Sequence, residues 1–139
     1  QFAQAEAIWQ QGLQDCWFEP RQAAEILRQL GEEARRKGLL DCAIANFETA
    51  LTLLPEEPTL ANALGITLIQ ARRFDQAIPL LEGAAARGFA LAHTNLGICY
   101  FQLGDSTKAL MQFALASQKL PNDATAQANH RRAQDSLRR

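Results

Sequence analysis

The chain is poor in the residues that carry most enzymatic and metal chemistry. It has two histidines, His93 and His130, and three cysteines, Cys16, Cys42 and Cys99. Neither histidine has a cysteine or second histidine at metal-ligand spacing. The cysteines are scattered and odd in number, with no C-x-x-C, which fits a reducing, cytoplasmic setting better than a disulfide scaffold. No Gly-rich phosphate loop, G-x-S-x-G elbow or H-E-x-x-H occurs. No apolar run reaches the length of a membrane span. The start has no basic residues and no apolar signal core, although Gln1 in place of Met is what a fragment would show. A net charge of −1 gives no global field to attract nucleic acid or an anionic membrane.

Two carboxylate pairs remain, and neither makes an acid/base dyad. Glu32 and Glu33 are neighbours on a helix pattern, so they point apart. Glu56 and Glu57 lie between Pro55 and Pro58, where they read as a loop and a helix start suited to negative charge. Cys42 and Cys99 read as small packing residues. No catalysis, cofactor or metal is expected.

What the chain does have is 47% apolar residues arranged as a repeat. "LGEEARRKG" begins at Leu30, "LGITLIQAR" at Leu64 and "LGICYFQLG" at Leu96. Their central glycines, Gly31, Gly65 and Gly97, are 34 and then 32 residues apart. The following landmarks keep step as Ala43, Ala77 and Ala109; Phe47, Leu81 and Phe113; Ala50, Ala84 and Ala116; and Pro55, Phe89 and Pro121. Each unit reads as two amphipathic helices. In the third, Leu96, Tyr100 and Leu103 share a face, Gly104 breaks the helix, and Asp105 or Ser106 caps the next. A glycine inside a helix costs about 1 kcal/mol relative to alanine. The three glycines are therefore expected where the two backbones approach most closely.

These residues resemble the tetratricopeptide repeat family. Residues 90–121 carry its pattern as Leu96, Gly97, Tyr100, Gly104, Ala109, Phe113, Ala116 and Pro121. Residues 24–57 carry it as Leu27, Leu30, Gly31, Gly38, Ala43, Phe47, Ala50 and Pro55. The middle unit departs from it at Ala61, Arg72 and Phe89. That unit is also two residues short, and "AAARGFALAHTNLG" looks like the junction of the related Sel1-like repeats. The resemblance implies an all-α, right-handed solenoid of antiparallel helix pairs. Its repeats would be 24–57, 58–89 and 90–123, with residues 124–139 as a capping helix. Residues 1–23 form either a packing helix or a degenerate repeat, with Ala5, Trp9, Gly12 and Trp17 spaced like a second helix and an insertion around Phe18-Glu19-Pro20. At the other end, "ATAQANHRRAQDSLRR" is polar, as a solenoid's terminal helix should be. A second use of its arginines would be docking an acidic partner or nucleic acid.

In this family the first helix of each unit lines a concave groove. Carried onto this sequence, the groove residues would include Arg28 and Arg35 in unit one. Unit two would supply Asn62, Ile66, Ile69 and Gln70. Unit three would supply Leu91, Thr94, Asn95, Ile98, Phe101 and Gln102. One end is then charged and the other apolar. Asn95 matches a position where related proteins bind a peptide backbone. His93 falls at a packing position, and His130 lies on the polar terminal helix. The lysine, asparagine and arginine positions that clamp heat-shock chaperone tails hold Arg28, Glu32, Ala63, Leu91 and Asn95 here. The glutamate and leucine do not suit two carboxylates.

The reading is a non-catalytic module that binds a partner protein, as a peptide or amphipathic helix, in the groove. The alternatives are an assembly or secretion chaperone, similar in architecture to type III secretion translocator chaperones, and a regulatory domain of a longer protein. Self-association, with a second copy or a terminal helix filling the groove, is also open. No small-molecule substrate, nucleic acid or membrane insertion is expected.

Overall fold

A helix fills each position that the repeat predicts. The computed structural model describes residues 2–14 and 19–139, which form eight helices. They are α1 (Phe2–Gln14), α2 (Pro20–Arg36), α3 (Leu40–Leu53), α4 (Pro58–Gln70), α5 (Phe74–Ala86), α6 (Leu91–Gln102), α7 (Ser106–Lys119) and α8 (Ala124–Arg138). Three hairpins, α2–α3, α4–α5 and α6–α7, stack in sequence, and α8 packs on α7. The first helices also touch one another, α2 against α4 and α4 against α6.

Local chemistry sets the helix ends. Pro20 and Pro58 open α2 and α4 at the position where a missing N–H costs nothing. Asp105 and Asp123 cap α7 and α8, each accepting a backbone N–H at 3.0 Å, from Lys108 and Ala126. α2 starts four residues before the predicted unit boundary at 24, because Glu19-Pro20 is a better start signal than the repeat register.

Helices α2, α4 and α6 end alike. A residue in the left-handed region follows each: Gly38 at φ 76°, Arg72 at φ 60° and Gly104 at φ 85°. The next N–H then bonds back five residues, from Leu39 to Ala34 O (2.9 Å), Arg73 to Leu68 O (2.8 Å) and Asp105 to Tyr100 O (2.9 Å). This is the Schellman ending. Arg72, the middle unit's departure from the pattern, occupies a conformation that its neighbours in register fill with glycine.

The core lies between paired helices. Ala43, Ala50, Ala77, Ala84, Ala109 and Ala116 are fully buried, as are Phe47 and Leu81, while Phe113 is 5% exposed. The glycines answer to those large residues, which corrects the expected backbone-to-backbone approach. A methyl group at Gly31 would lie 2.8 Å from the Phe47 ring, one at Gly65 2.6 Å from Leu81, and one at Gly97 2.5 Å from the Phe113 ring. The alanines provide the close approach of the helices, and the glycines provide sockets for side chains.

α1 lies against α3. Its Glu6 carboxylate accepts from the Cys42 thiol (3.4 Å) and the Asn46 amide (3.4 Å). One repeat later the same positions are Gln76 and Leu80, which face Glu48 and Leu51 of α3 across a hollow. α1 thus takes the place that a preceding unit's second helix would take. Ala5 is half-buried and Gly12 buried, in keeping with that register, while Trp17 and Phe18 lie outside the described residues.

Candidate partner-binding groove

The inner helices α2, α4, α6 and α8 present the groove. Its three stretches differ in how far their side chains are already engaged.

On α2 the charges pair among themselves. Arg28 makes two bonds to Glu25, at 2.7 and 2.9 Å, and Gln29 donates a third at 3.0 Å. The bond from Arg28, followed by that from Gln29, holds the Glu25 carboxyl down to about 2. Arg35 bonds Glu32 at 2.5 and 3.2 Å, and Arg36 pairs with Glu33 at 2.6 Å. Arg28 and Arg35, expected in the groove, each have a carboxylate partner on their own helix. Such i,i+3 pairs are worth about 0.2–0.5 kcal/mol each.

In the middle, sequence reasoning placed several side chains in the open that the stack in fact encloses. Asn62 is 7% exposed and Thr94 9%. Asn62 Oδ1 accepts from Asn95 Nδ2 at 2.8 Å, which ties α4 to α6. Ile66 and Ile69 are half-buried, and Ile69 packs on the main core. Gln70 is exposed.

The α6 end is the open one. Leu91, at the start of α6, is 44% exposed; Phe101, near its end, is 46% exposed, with Gln102 exposed next to it. Ile98 is half-buried against Ala109, Phe113 and Ala133. A hollow of about 230 Å³ opens here between α6 and α8, with Phe113 in its floor and Asn129 and Arg132 on its edge. Residue-type reasoning gave α8 a capping role, with its arginines as a second reading for docking an acidic partner or nucleic acid, and did not place it in the groove. The missed signal was the repeat register itself: Asn129 follows Asn95, and Arg132 follows Ile98, by one 34-residue period. The helix still caps. The α6 positions that pack on α7 are His93, Leu96, Gly97 and Tyr100. In α8 their counterparts are the polar Gln127, His130, Arg131 and Gln134.

The remaining chemistry-bearing side chains serve packing. His93 Nδ1 lies 2.8 Å from Gln112 Oε1, linking α6 to α7. The Tyr100 hydroxyl donates to Glu82 at 3.1 Å, and the Lys108 ammonium sits 5.4 Å from the Tyr100 ring centre. Cys99 is fully buried, and burial pushes its thiol up to about 11. Burial, with the Glu6 carboxylate next, also raises the Cys42 thiol. Both are poor nucleophiles at neutral pH, and neither is in a disulfide. Among the described residues no cluster of three or more His, Cys, Asp or Glu could hold a metal, and no helix is long and apolar enough to cross a membrane.

With helix pairs, turns and inner face in view, comparison with known proteins agrees on the class. Residues 62–129 match the tetratricopeptide repeat family. The chain is a tetratricopeptide-repeat solenoid: all-α, right-handed, built of antiparallel helix pairs. Among solved structures it is similar to the first TPR of Spaghetti (RPAP3) bound to the HSP90 peptide SRMEEVD. The TM-score is 0.79 at 21% identity, over 84% of this chain and 94% of that one. It is similar to the Arabidopsis OM64 TPR domain at TM-score 0.79 and 18% identity, over 84% and 98%. It is also similar to MamA MSR-1 C2 at TM-score 0.73 and 22% identity, over 98% and 77%. At these identities the likeness is one of fold.

Proposed function

We propose that this chain is a non-catalytic protein-interaction module that binds a partner peptide or helix in the groove lined by α2, α4, α6 and α8. Tetratricopeptide-repeat domains are protein-interaction modules as a class, and this reading places the contact at the α6 end. One observation carries it. Phe101 and Leu91 stay nearly half exposed on an inner face whose neighbouring helices are already in place. Large apolar side chains left exposed along an inner face favour a partner that covers them. The Asn62–Asn95 bond fixes one amide of the groove floor, and an ordered amide costs less to engage than a mobile one.

The HSP90 peptide belongs to the RPAP3 structure. In this chain Glu32 and Leu91 stand among the clamp positions, Glu32 paired with Arg35 and Leu91 offering no donor. Those positions therefore do not favour the clamping of two carboxylates there. Service as an assembly or secretion chaperone, or as the regulatory part of a longer protein, would use the same groove.

The test is a pull-down from the source organism with wild type and Phe101→Glu side by side, both first shown folded by circular dichroism. A protein retained by wild type and lost by the variant supports the groove. Equal capture by both moves the contact to another face.

A further inference from the structure

We propose that the α6–α8 end of the groove takes an acidic peptide anchored by one large apolar side chain, with Arg132 holding a carboxylate beside the anchor. This deepens the groove reading and rests on it.

Size and lining come first. The hollow formed by Ile98, Phe101, Phe113 and Ala133 measures about 230 Å³. That is below the roughly 300–1,000 Å³ of sites that enclose small-molecule ligands, and it is of the order of a single side chain. Its apolar walls favour Leu, Ile, Met or Phe. Its edge carries Asn129 and Arg132, an amide able to meet a peptide backbone and a cation able to meet a carboxylate.

Charge complementarity selects the peptide. On α2, Arg28, Arg35 and Arg36 each have a carboxylate three residues earlier. On α8, Arg131, Arg132, Arg138 and Arg139 enter no ion pair with any described residue. Asp135, the helix's one acid, lines a second hollow with Arg132, Ser136 and Arg139 and likewise makes no ion pair. A carboxylate arriving at Arg132 therefore displaces no existing partner. A guanidinium fork beside an apolar wall gains from the lower local dielectric once the peptide covers it. Lying between the two hollows, Arg132 places the carboxylate next to the apolar anchor rather than remote from it.

The experiment selects random 12-residue peptides by phage display on the immobilised full chain. Enriched peptides, made with a fluorescein label, are titrated by anisotropy against wild type, Arg132→Gln, Arg131→Gln and Phe101→Glu, each checked for an unchanged melt. Supporting results are a shared large apolar residue within two positions of Asp or Glu and about tenfold weaker binding to Arg132→Gln. Arg131→Gln should bind within about twofold of wild type, and affinity should fall with salt. Peptides without an acid, or indifferent to Arg132→Gln but lost on Phe101→Glu, overturn the acidic anchor and leave the groove reading standing. If nothing is enriched, while the chain dimerises in sedimentation or binds fluorescein-labelled (dT)20, both fail.

Discussion

The ring of Phe113 occupies the space that a side chain on Gly97 would need. A methyl group there would lie 2.5 Å from the ring, and no real Cβ contact is that short. The relationship recurs as Gly31 with Phe47 and Gly65 with Leu81, so it is the repeat's own joint.

It predicts the sign of a substitution. Helix propensity alone would make Gly97→Ala stabilising by about 1 kcal/mol. Overlap with the ring opposes this by about 1–3 kcal/mol, so Gly97→Ala is expected to be neutral to clearly destabilising, and Gly97→Leu to unfold the third hairpin. In a Phe113→Ala background, itself costing about 3–5 kcal/mol, Gly97→Ala should become stabilising. Urea denaturation of the four-member cycle reads the coupling. Additivity would remove the socket explanation.

Arg72 sits at φ 60° where its equivalents in register are Gly38 and Gly104. A non-glycine residue pays about 1–2 kcal/mol for that conformation. Its guanidinium lies 5.5 Å from the Phe74 ring centre, an offset of about 0.5–1 kcal/mol at an exposed site. Arg72→Gly should raise the urea midpoint, and Gly104→Ala should lower it. A drop for Arg72→Gly would mean that the ring contact outweighs the backbone strain.

Asn95 and Phe101 lie on the same groove but should respond differently. Asn95→Ala leaves Asn62 Oδ1, on a residue 7% exposed, without its donor. That should cost about 1 kcal/mol or more. Phe101→Glu changes a 46% exposed side chain and should alter stability by no more than about 0.5 kcal/mol. Thermal melts compare the two. A large loss for Phe101→Glu would show Phe101 to be structural and disqualify it as a probe of binding.

Acid should weaken α2. The folded-state value of Glu25 lies at about 2, below the ordinary 4.5. The stabilisation is therefore complete above about pH 4.5 and is lost as pH falls through 2. Because both side chains are largely solvent-accessible, the effect is small and fades with salt. Wild type and Glu25→Gln compared by urea unfolding between pH 7 and 2 should converge at the acid end. A constant difference would assign the effect to packing.

The periodicity carried the fold because it is a local, repeated pattern. Gly31, Gly65 and Gly97, with their following alanines and large apolar residues, mark six of the eight helices by spacing alone. Pro58 and Asp105 mark two helix starts, whereas Pro20, expected within an insertion, opens α2. Of the groove positions that the family resemblance implies, Leu91, Phe101, Gln70 and Gln102 are exposed. Asn62 and Thr94 are buried, which depends on how closely α4 and α6 stack.

The sequence by itself determined the repeat, the helix pairs and which side chains share a face of each helix, since 3.6-residue phase and turn chemistry are written into neighbouring residues. Only the tertiary structure decided which of those faces stay open. It closed Asn62 under Asn95. It also brought Arg132, 34 residues after Ile98, to the edge of the same hollow as Phe101. The physical reason is that exposure depends on what the stack places across the gap, and spacing along one chain does not give that distance.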